Sequence, residues 1–358
     1  MTLGALLARL GVRTHQRLRA LADRLAPPEL LLADRITGVA QTAVAGALVS
    51  SRLIERLDRT PRSVRELVGD EALDHDTAER LLRGAAALGL LERAGDGYRS
   101  NRLTLLLQPG TPRSIAPVAL YFASGAHLRA WSCFHEAMRA GEVPFRRAHG
   151  HGVWEHLASS DEEATRFAWA MAALTRLDAQ AVVRTPGFSG LRRLCDVAGG
   201  TGALLEAALR AHPGLEGVLV DAPGVMQLTR SRFEQSGLME RVHFEPADVF
   251  ARVPEGLPAY VLKDVLHDWD DGRAQALLEV VRRAMAPGAR LLLVELLLER
   301  GAVEGFASLV DLQMLTMTDG GRQRTVAQLG ALLRRSGFST PVVHRTRTPS
   351  SVLVSEAV

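Results

Sequence analysis

Three carboxylates recur in one setting. Asp196 stands in LCDVAGGTG, Asp221 in VLVDAP and Asp248 in ADVF, each closing a short apolar run. Behind Asp196 the side chains are cleared away, leaving Gly199, Gly200 and Gly202. Such a turn lets a ligand lie against backbone N–H groups at the start of the next helix. A dinucleotide fingerprint needs its third glycine at position 205, where Leu205 stands, so the pyrophosphate reading is weakened. A carboxylate ahead of the turn repels phosphate and attracts a cation. Asp221, some twenty residues on, is spaced to accept both ribose hydroxyls, and Asp248 is placed to meet an adenine amino group. S-adenosylmethionine, with an ammonium, a sulfonium and no phosphate, suits all three. Any one acid alone is as well explained as a strand-end or capping residue; three in succession are a more specific pattern.

A second group follows the fourth apolar run. VLKDVLHDWDD carries Lys263, the single lysine among 43 basic residues, and His267. An imidazole just beyond a strand's carboxyl end is placed to accept a proton near pH 7. His267, Asp268, Asp270 and Asp271 also have the makings of a hard-metal cluster. However, Asp270 and Asp271 precede a helix beginning near Gly272, where acids complement the dipole, and Asp268 reads as an orienting neighbour of the histidine. No metal is expected. Glu295 lies in the apolar stretch LLLVELLLE, where a carboxylate is costly unless it ends the strand or is paired.

Strands must hold these residues. From Leu191 apolar runs alternate with helices: Leu191–Val197, a helix near Ala203 to Ala211, Gly217–Val220, a helix near Val225 to Ser236, Val242–Glu245, Ala259–Leu262, a helix from Gly272 to Met285, and Arg290–Leu298. This alternation predicts a Rossmann-like, doubly wound α/β domain with a parallel sheet over residues 185–358. Ligands in such sheets sit beyond the carboxyl ends of the strands, where the three acids and His267 fall. Residues 109–184 read as connecting helices, among them RAWSCFHEAMRAGEVPF and a helix from Glu162 to Val183. Residues 1–108 read as helical, with a winged-helix outline over 61–105: a short helix from Pro61 through Val68, a second from Asp74 to Gly89, and a hairpin turning at Gly95–Gly97. That outline suggests DNA binding. Asp74, Asp76 and Glu79 on the second helix oppose phosphate contact, and a packing or dimerisation module is the better reading.

The totals agree. With 358 residues, 47% hydrophobic and 23% charged, the chain is long enough for two domains. A net charge of +3 is too small and interspersed to imply nucleic acid. Cys133 and Cys195 have no disulfide or zinc spacing. The opening MTLGALLARLGVRT is broken too early for a signal peptide, and no apolar run is long enough to span a membrane. A reduced, cytoplasmic enzyme is expected, with no nucleic-acid and no membrane partner.

DVAGGTG, VDAP, ADVF, LKDVLHDW and GGRQRT, in this order, resemble the caffeic-acid-type, S-adenosylmethionine-dependent O-methyltransferases, which include bacterial enzymes of polyketide and other natural-product tailoring. The resemblance covers nearly the whole chain. It implies a homodimer whose N-terminal domain completes the partner's pocket. It also implies His267 as general base flanked by Asp268 and Glu295, and a cofactor site of Asp196, Gly199, Gly200, Gly202, Asp221, Asp248, Val249 and Lys263. Phe167, Met171, Met314 and Thr318 would line the pocket of a small aromatic or polyketide acceptor, with Tyr121, Phe122 and Trp131 as further candidates. Three positions depart from the family pattern. Gln323 stands where a second glutamate is common, which removes a charge beside the base. Ala198 replaces a glycine, and Thr318 an asparagine of plant members. Rival readings are a relative that uses the cofactor for hydroxylation or decarboxylation, a winged-helix regulator, and N- or C-methylation.

Overall fold

The structure, a computed structural model, describes residues 20–298 and 306–358 together with positions 14, 17 and 18. The helical expectation for the first thirteen residues lies outside the described residues. The chain forms two compact units, Met1–Ser124 and Gly125–Val358. The connecting helices expected over 109–184 fall on both sides of that boundary.

In the first unit, α1 (Pro28–Ile36) and α2 (Gly38–Ser50) precede the expected helix, turn, helix and hairpin. α3 (Val64–Val68) starts at Ser63, whose hydroxyl accepts the Glu66 N–H while the Glu66 carboxylate accepts the Ser63 N–H, a reciprocal cap. α4 (His75–Ala87) starts at Asp74, which accepts the Thr77 N–H at 2.8 Å. β1 (Glu92–Ala94) and β2 (Gly97–Arg99) pair antiparallel. Leu48, Ile54, Leu67, Leu82 and Tyr98 form the centre of this unit's core. Its last helix is α5 (Ala116–Phe122).

The second unit begins with helices. RAWSCFHEAMRAG does not form one helix: α6 (Gly125–Ser132) ends at Cys133, and a separate turn of helix spans Phe134–Ala140. α7 (Pro144–His149), α8 (Val153–Ala158) and the long α9 (Asp161–Val182) follow. The sheet then runs β3 (Arg193–Val197), α10 (Ala203–Ala211), β4 (Glu216–Asp221), α11 (Pro223–Ser236), β5 (Val242–Pro246), β6 (Ala259–Lys263), α12 (Asp271–Ala284), β7 (Arg290–Leu296), α13 (Phe306–Met317), α14 (Val326–Arg335), β8 (Val342–Arg345) and β9 (Ser350–Glu356). Its spatial order is β5-β4-β3-β6-β7-β9-β8.

β3 to β7 are parallel, as the apolar runs predict. The near-continuous burial of β3, β4, β6 and β7 is that of strands covered on both faces, while β5, at the sheet's edge, is mostly exposed or half-buried. The wholly parallel expectation needs correction at one edge, where β9 runs antiparallel between β7 and β8. The chain winds outward from β3 through β4 to β5, then returns to lay β6 on the other side of β3. The crevice between β3 and β6 is therefore the switch point where such sheets bind ligands. Both strands leave it in the same unusual way. Ala198 follows β3 with φ +55°, and Asp264 follows β6 with φ +52°. Among the described residues only Arg52 is another non-glycine residue with positive φ.

Candidate active site

The loop after β3 is shaped by contacts that only glycine permits. A Cβ on Gly199 would lie 2.7 Å from Asp196 Cγ, and one on Gly202 would strike the Phe233 ring at 2.4 Å. Gly200 and Gly202 take left-handed φ values of +57° and +73°. The side chain of Asp221, last residue of β4, pins this loop. Its Oδ2 accepts the Gly200 N–H at 2.7 Å and its Oδ1 accepts the Ala222 N–H at 2.7 Å. Asp196 is 1% exposed, with Oδ2 buried and unpartnered. Burial, and then the nearby Asp221, push its carboxyl up to about 7. Burial raises Asp221 as well, against the two N–H donors.

Asp248 lies two residues beyond the end of β5, in an exposed turn where its Oδ1 accepts the Phe250 N–H at 2.9 Å. It is a turn residue rather than the last residue of a strand. An aromatic row runs from this turn: Phe250 meets Trp269 edge-on at 4.9 Å, Trp269 stacks on Trp154 of α8 at 5.5 Å, and Trp154 meets Phe167 of α9 edge-on at 5.9 Å. The Arg273 guanidinium covers both Phe250 and Trp269.

His267 sits in a short turn, Leu266–Asp268, just beyond β6. Its ring is 11% exposed. Nε2 lies 3.5 Å from Asp268 Oδ1, and Nδ1 lies 3.4 Å from Glu295 Oε2 and 2.8 Å from the side-chain nitrogen of Gln323. The Gln323 oxygen is buried without a partner. Rotating the amide by half a turn, an assignment the heavy atoms leave open, gives that oxygen the Nδ1–H and leaves a lone pair on Nε2. Burial pulls the imidazole below its ordinary value, partly opposed by Asp264. Burial, followed by the charge of Asp264, pushes Glu295 and Asp268 well up. Glu295 Oε1 accepts the Leu266 N–H at 3.1 Å, so the acid on β7 also holds the histidine turn.

Sequence reasoning missed three residues here. Arg324 is 3% exposed and donates to the Leu266 carbonyl at 2.7 Å, the Trp269 carbonyl at 2.7 Å and Asp271 at 2.9 Å, clamping the turn on both sides of His267. Asp178 of α9 and Asp264 both pair with Lys263, Asp178 at 3.5 Å. Burial opposes the Lys263 charge, but Asp264 and Asp178 outweigh it and raise the ammonium. Asp264 was open to view in LKDVLHDW, one residue from the lysine; nothing local marked Asp178 or Arg324. Of the four residues with the makings of a metal cluster, Asp270 caps α12 through the Arg273 N–H at 2.8 Å and Asp271 pairs with Arg324. Among the described residues the group spaced for a metal is Asp264, His267 and Glu295, and there Asp264 already carries the Lys263 ammonium.

The acceptor-wall residues are partly tied to this turn. Thr318 Oγ1 donates to the Met314 carbonyl at 2.8 Å and accepts the Gly321 N–H at 3.1 Å. The neighbouring Arg322 N–H donates to the His267 carbonyl at 2.8 Å. Thr318 is 3% exposed, so its hydroxyl serves the end of α13. Phe167, Met171 and Met314 are half-buried. Trp131 donates from Nε1 to His127 and Gln313. Tyr121 and Phe122 belong to the first unit, on α5.

Residues 131–339 match the family model of the O-methyltransferase domain. The mitomycin biosynthesis 6-O-methyltransferase of Streptomyces lavendulae is 32% identical over 308 residues, 85% of this chain and 87% of that protein. The 8-amino-8-demethylriboflavin N,N-dimethyltransferase of Streptomyces davaonensis is 33% identical over 303 residues, 83% and 86% of the two chains. Among solved structures, human N-acetylserotonin methyltransferase in complex with S-adenosylmethionine superposes with a TM-score of 0.85 at 25% identity, over 93% of this chain and 98% of that one.

Proposed function

The chain belongs to the O-methyltransferase family, and on that premise we propose that it moves a methyl group from S-adenosylmethionine to a phenolic hydroxyl of a small aromatic or polyketide natural product, with His267 as general base. The observation that carries this reading is the crevice between β3 and β6, with a glycine loop and buried acids on one side and a held imidazole on the other.

The residues fit the cofactor. Asp196 offers an unpartnered, buried carboxylate oxygen, which an ammonium would satisfy. The loop of Gly199, Gly200 and Gly202 leaves backbone open to close approach. Phe250 and Trp269, packed edge to face, give an aromatic surface beside Asp248, and Val249 packs into the same region of the core. When bound, the cofactor supplies an electrophilic methyl group. The protein's part is to hold the acceptor and remove its proton. A phenol loses that proton to His267 Nε2, whose lone pair is fixed by donation from Nδ1–H to Gln323 or Glu295. Gains of roughly 10²–10⁴-fold are typical of such a base, and alignment of the acceptor oxygen adds to them. Half-buried Phe167, Met171 and Met314 suit a flat guest, since the thioether adapts to an aromatic face. Thr318 shapes this wall indirectly, by fixing the loop at Gly321.

We also read the protein as a homodimer. α13 exposes Phe306, Leu309, Leu312 and Leu315, and α1 exposes Leu30, Leu32 and Ile36; a second copy would cover such apolar faces. Light scattering in solution tests this. An amine acceptor is the second reading, favoured by the likeness to the riboflavin N,N-dimethyltransferase.

The deciding experiment has two arms. Calorimetry with S-adenosylhomocysteine tests the cofactor site. Transfer of labelled methyl onto a panel of phenols and aromatic amines, by the wild type and His267→Ala, tests the reaction. Binding with no transfer to any phenol sinks the O-methylation reading, and equal rates for the two proteins sink the base.

A further inference from the structure

Asp264 has no part in the function described above, yet its backbone and side chain are both held in costly states. It takes φ +52° in the left-handed region, which L-residues avoid and which Asp and Asn tolerate best. Its Oδ2 pairs with Lys263, while its Oδ1 is buried with no hydrogen-bond partner. Strain of this kind gathers where a side chain must be aimed. Here it is aimed at the histidine, since the ligating atoms of Asp264, His267 and Glu295 lie within 4.8 Å of one another.

The surroundings of the ring leave one place for a negative charge. The charged and titratable groups around it are Lys263 and Asp264 at the end of β6, Asp268 in its own turn, Glu295 from β7, and Arg322 and Arg324 from the segment after α13. Three carboxylates this close do not all ionise. Glu295, 3% exposed, and Asp268, 19% exposed at its side chain, are driven towards the neutral form. Asp264 is 31% exposed and carries the lysine as counter-ion. Gln323, which touches Nδ1, is neutral. Lys263 and Arg324 both work against a cationic ring.

We infer that Asp264 is a positioning residue for His267, supplying the fixed negative charge that lets the ring hold the proton taken from the acceptor, in the role that an acid at position 323 would otherwise fill. The inference rests on the reading of His267 as base. The charge acts through space: the hydroxyl proton passes to Nε2, and Asp264 neither gives nor takes it. The lysine that holds Asp264 in place is in turn shared with Asp178, so the device runs from α9 through β6 to the ring.

The test is the titration of His267, followed by nuclear magnetic resonance on the whole protein labelled in its histidine rings, with the signal assigned by its loss in His267→Gln. Asp264→Asn keeps the tolerated backbone conformation and removes the charge. The ring's proton affinity should fall about tenfold, as expected for loss of an opposite charge at this range, and Asp264→Asn with Gln323→Glu should recover most of it. A merely structural residue would leave the titration where it was, and an unchanged titration overturns the proposal. Asp264→Gly, which relieves the left-handed strain, must show the same fall; a fall in Asp264→Asn alone also overturns it. The outcome is separable from the function itself. A shifted titration in a protein that methylates no phenol upholds the coupling and removes the base, whereas methyl transfer dependent on His267 with an unshifted titration does the reverse.

Discussion

The side-chain amide of Gln323 lies 2.8 Å from Nδ1 of His267, where it fixes which ring nitrogen is free to accept a proton. Replacing it separates tautomer control from charge. In Gln323→Leu, Nδ1 keeps only Glu295 at 3.4 Å, and kcat should fall about tenfold, the order of one lost hydrogen bond. Gln323→Glu restores the contact and adds charge, so the acidic limb of the pH–rate profile should move to higher pH. A limb that stays in place would show that position 323 does not face the working base.

Cofactor affinity should depend on pH through Asp196. In the ligand-free protein, burial and Asp221 hold this carboxyl at about 7, above the roughly 3.9 of an unfolded Asp. Its contribution to stability is therefore fully present below about pH 4 and is lost as pH rises through 7. Binding of an ammonium favours the ionised form, so affinity for S-adenosylhomocysteine should rise over the same window, with proton release. Calorimetry in buffers of different ionisation enthalpy measures that release, and Asp196→Asn should abolish it.

Ala198 adopts φ +55° directly after β3, a conformation that costs an L-residue about 1 kcal/mol and glycine little. Ala198→Gly should stabilise the ligand-free protein by up to about 1 kcal/mol, less whatever the added freedom of the unfolded chain removes. Urea unfolding reads this directly. A loss of stability beyond about 1 kcal/mol would show that the methyl packs to advantage in the loop.

Arg324 clamps the histidine turn through two carbonyls and Asp271. Arg324→Ala leaves buried acceptors without donors and should cost about 3 kcal/mol of stability. Activity should fall even where the protein remains folded, because His267 loses its fixed position. Arg324→Lys offers one charge without the fork and should recover stability better than kcat. Thermal unfolding and kinetics on the same preparations distinguish the two effects.

The primary structure alone determined the strands and what they carry at their ends. Runs such as YVLK and LLLVEL must be buried on both faces, and a chain that alternates them with amphipathic helices has few ways to do so. Asp196, Asp221 and His267 were legible because each lies within a few residues of such a run, and Gly199 and Gly202 because a cleared turn is itself a local pattern. What followed from long-range approach was not legible. Arg324 reaches the Leu266 carbonyl across 58 residues, and Ser350 reaches Asp178 across 172. The antiparallel strand β9, bounded by serines and lying between β7 and β8, lacked the long apolar run that marked the parallel strands. Tertiary structure also decided which acids are pushed towards the neutral form. Asp268 and Glu295 have ordinary carboxylate chemistry as isolated residues. Burial drives both well up, because the cost of a charge is set by the solvent and counter-ions that folding leaves around it.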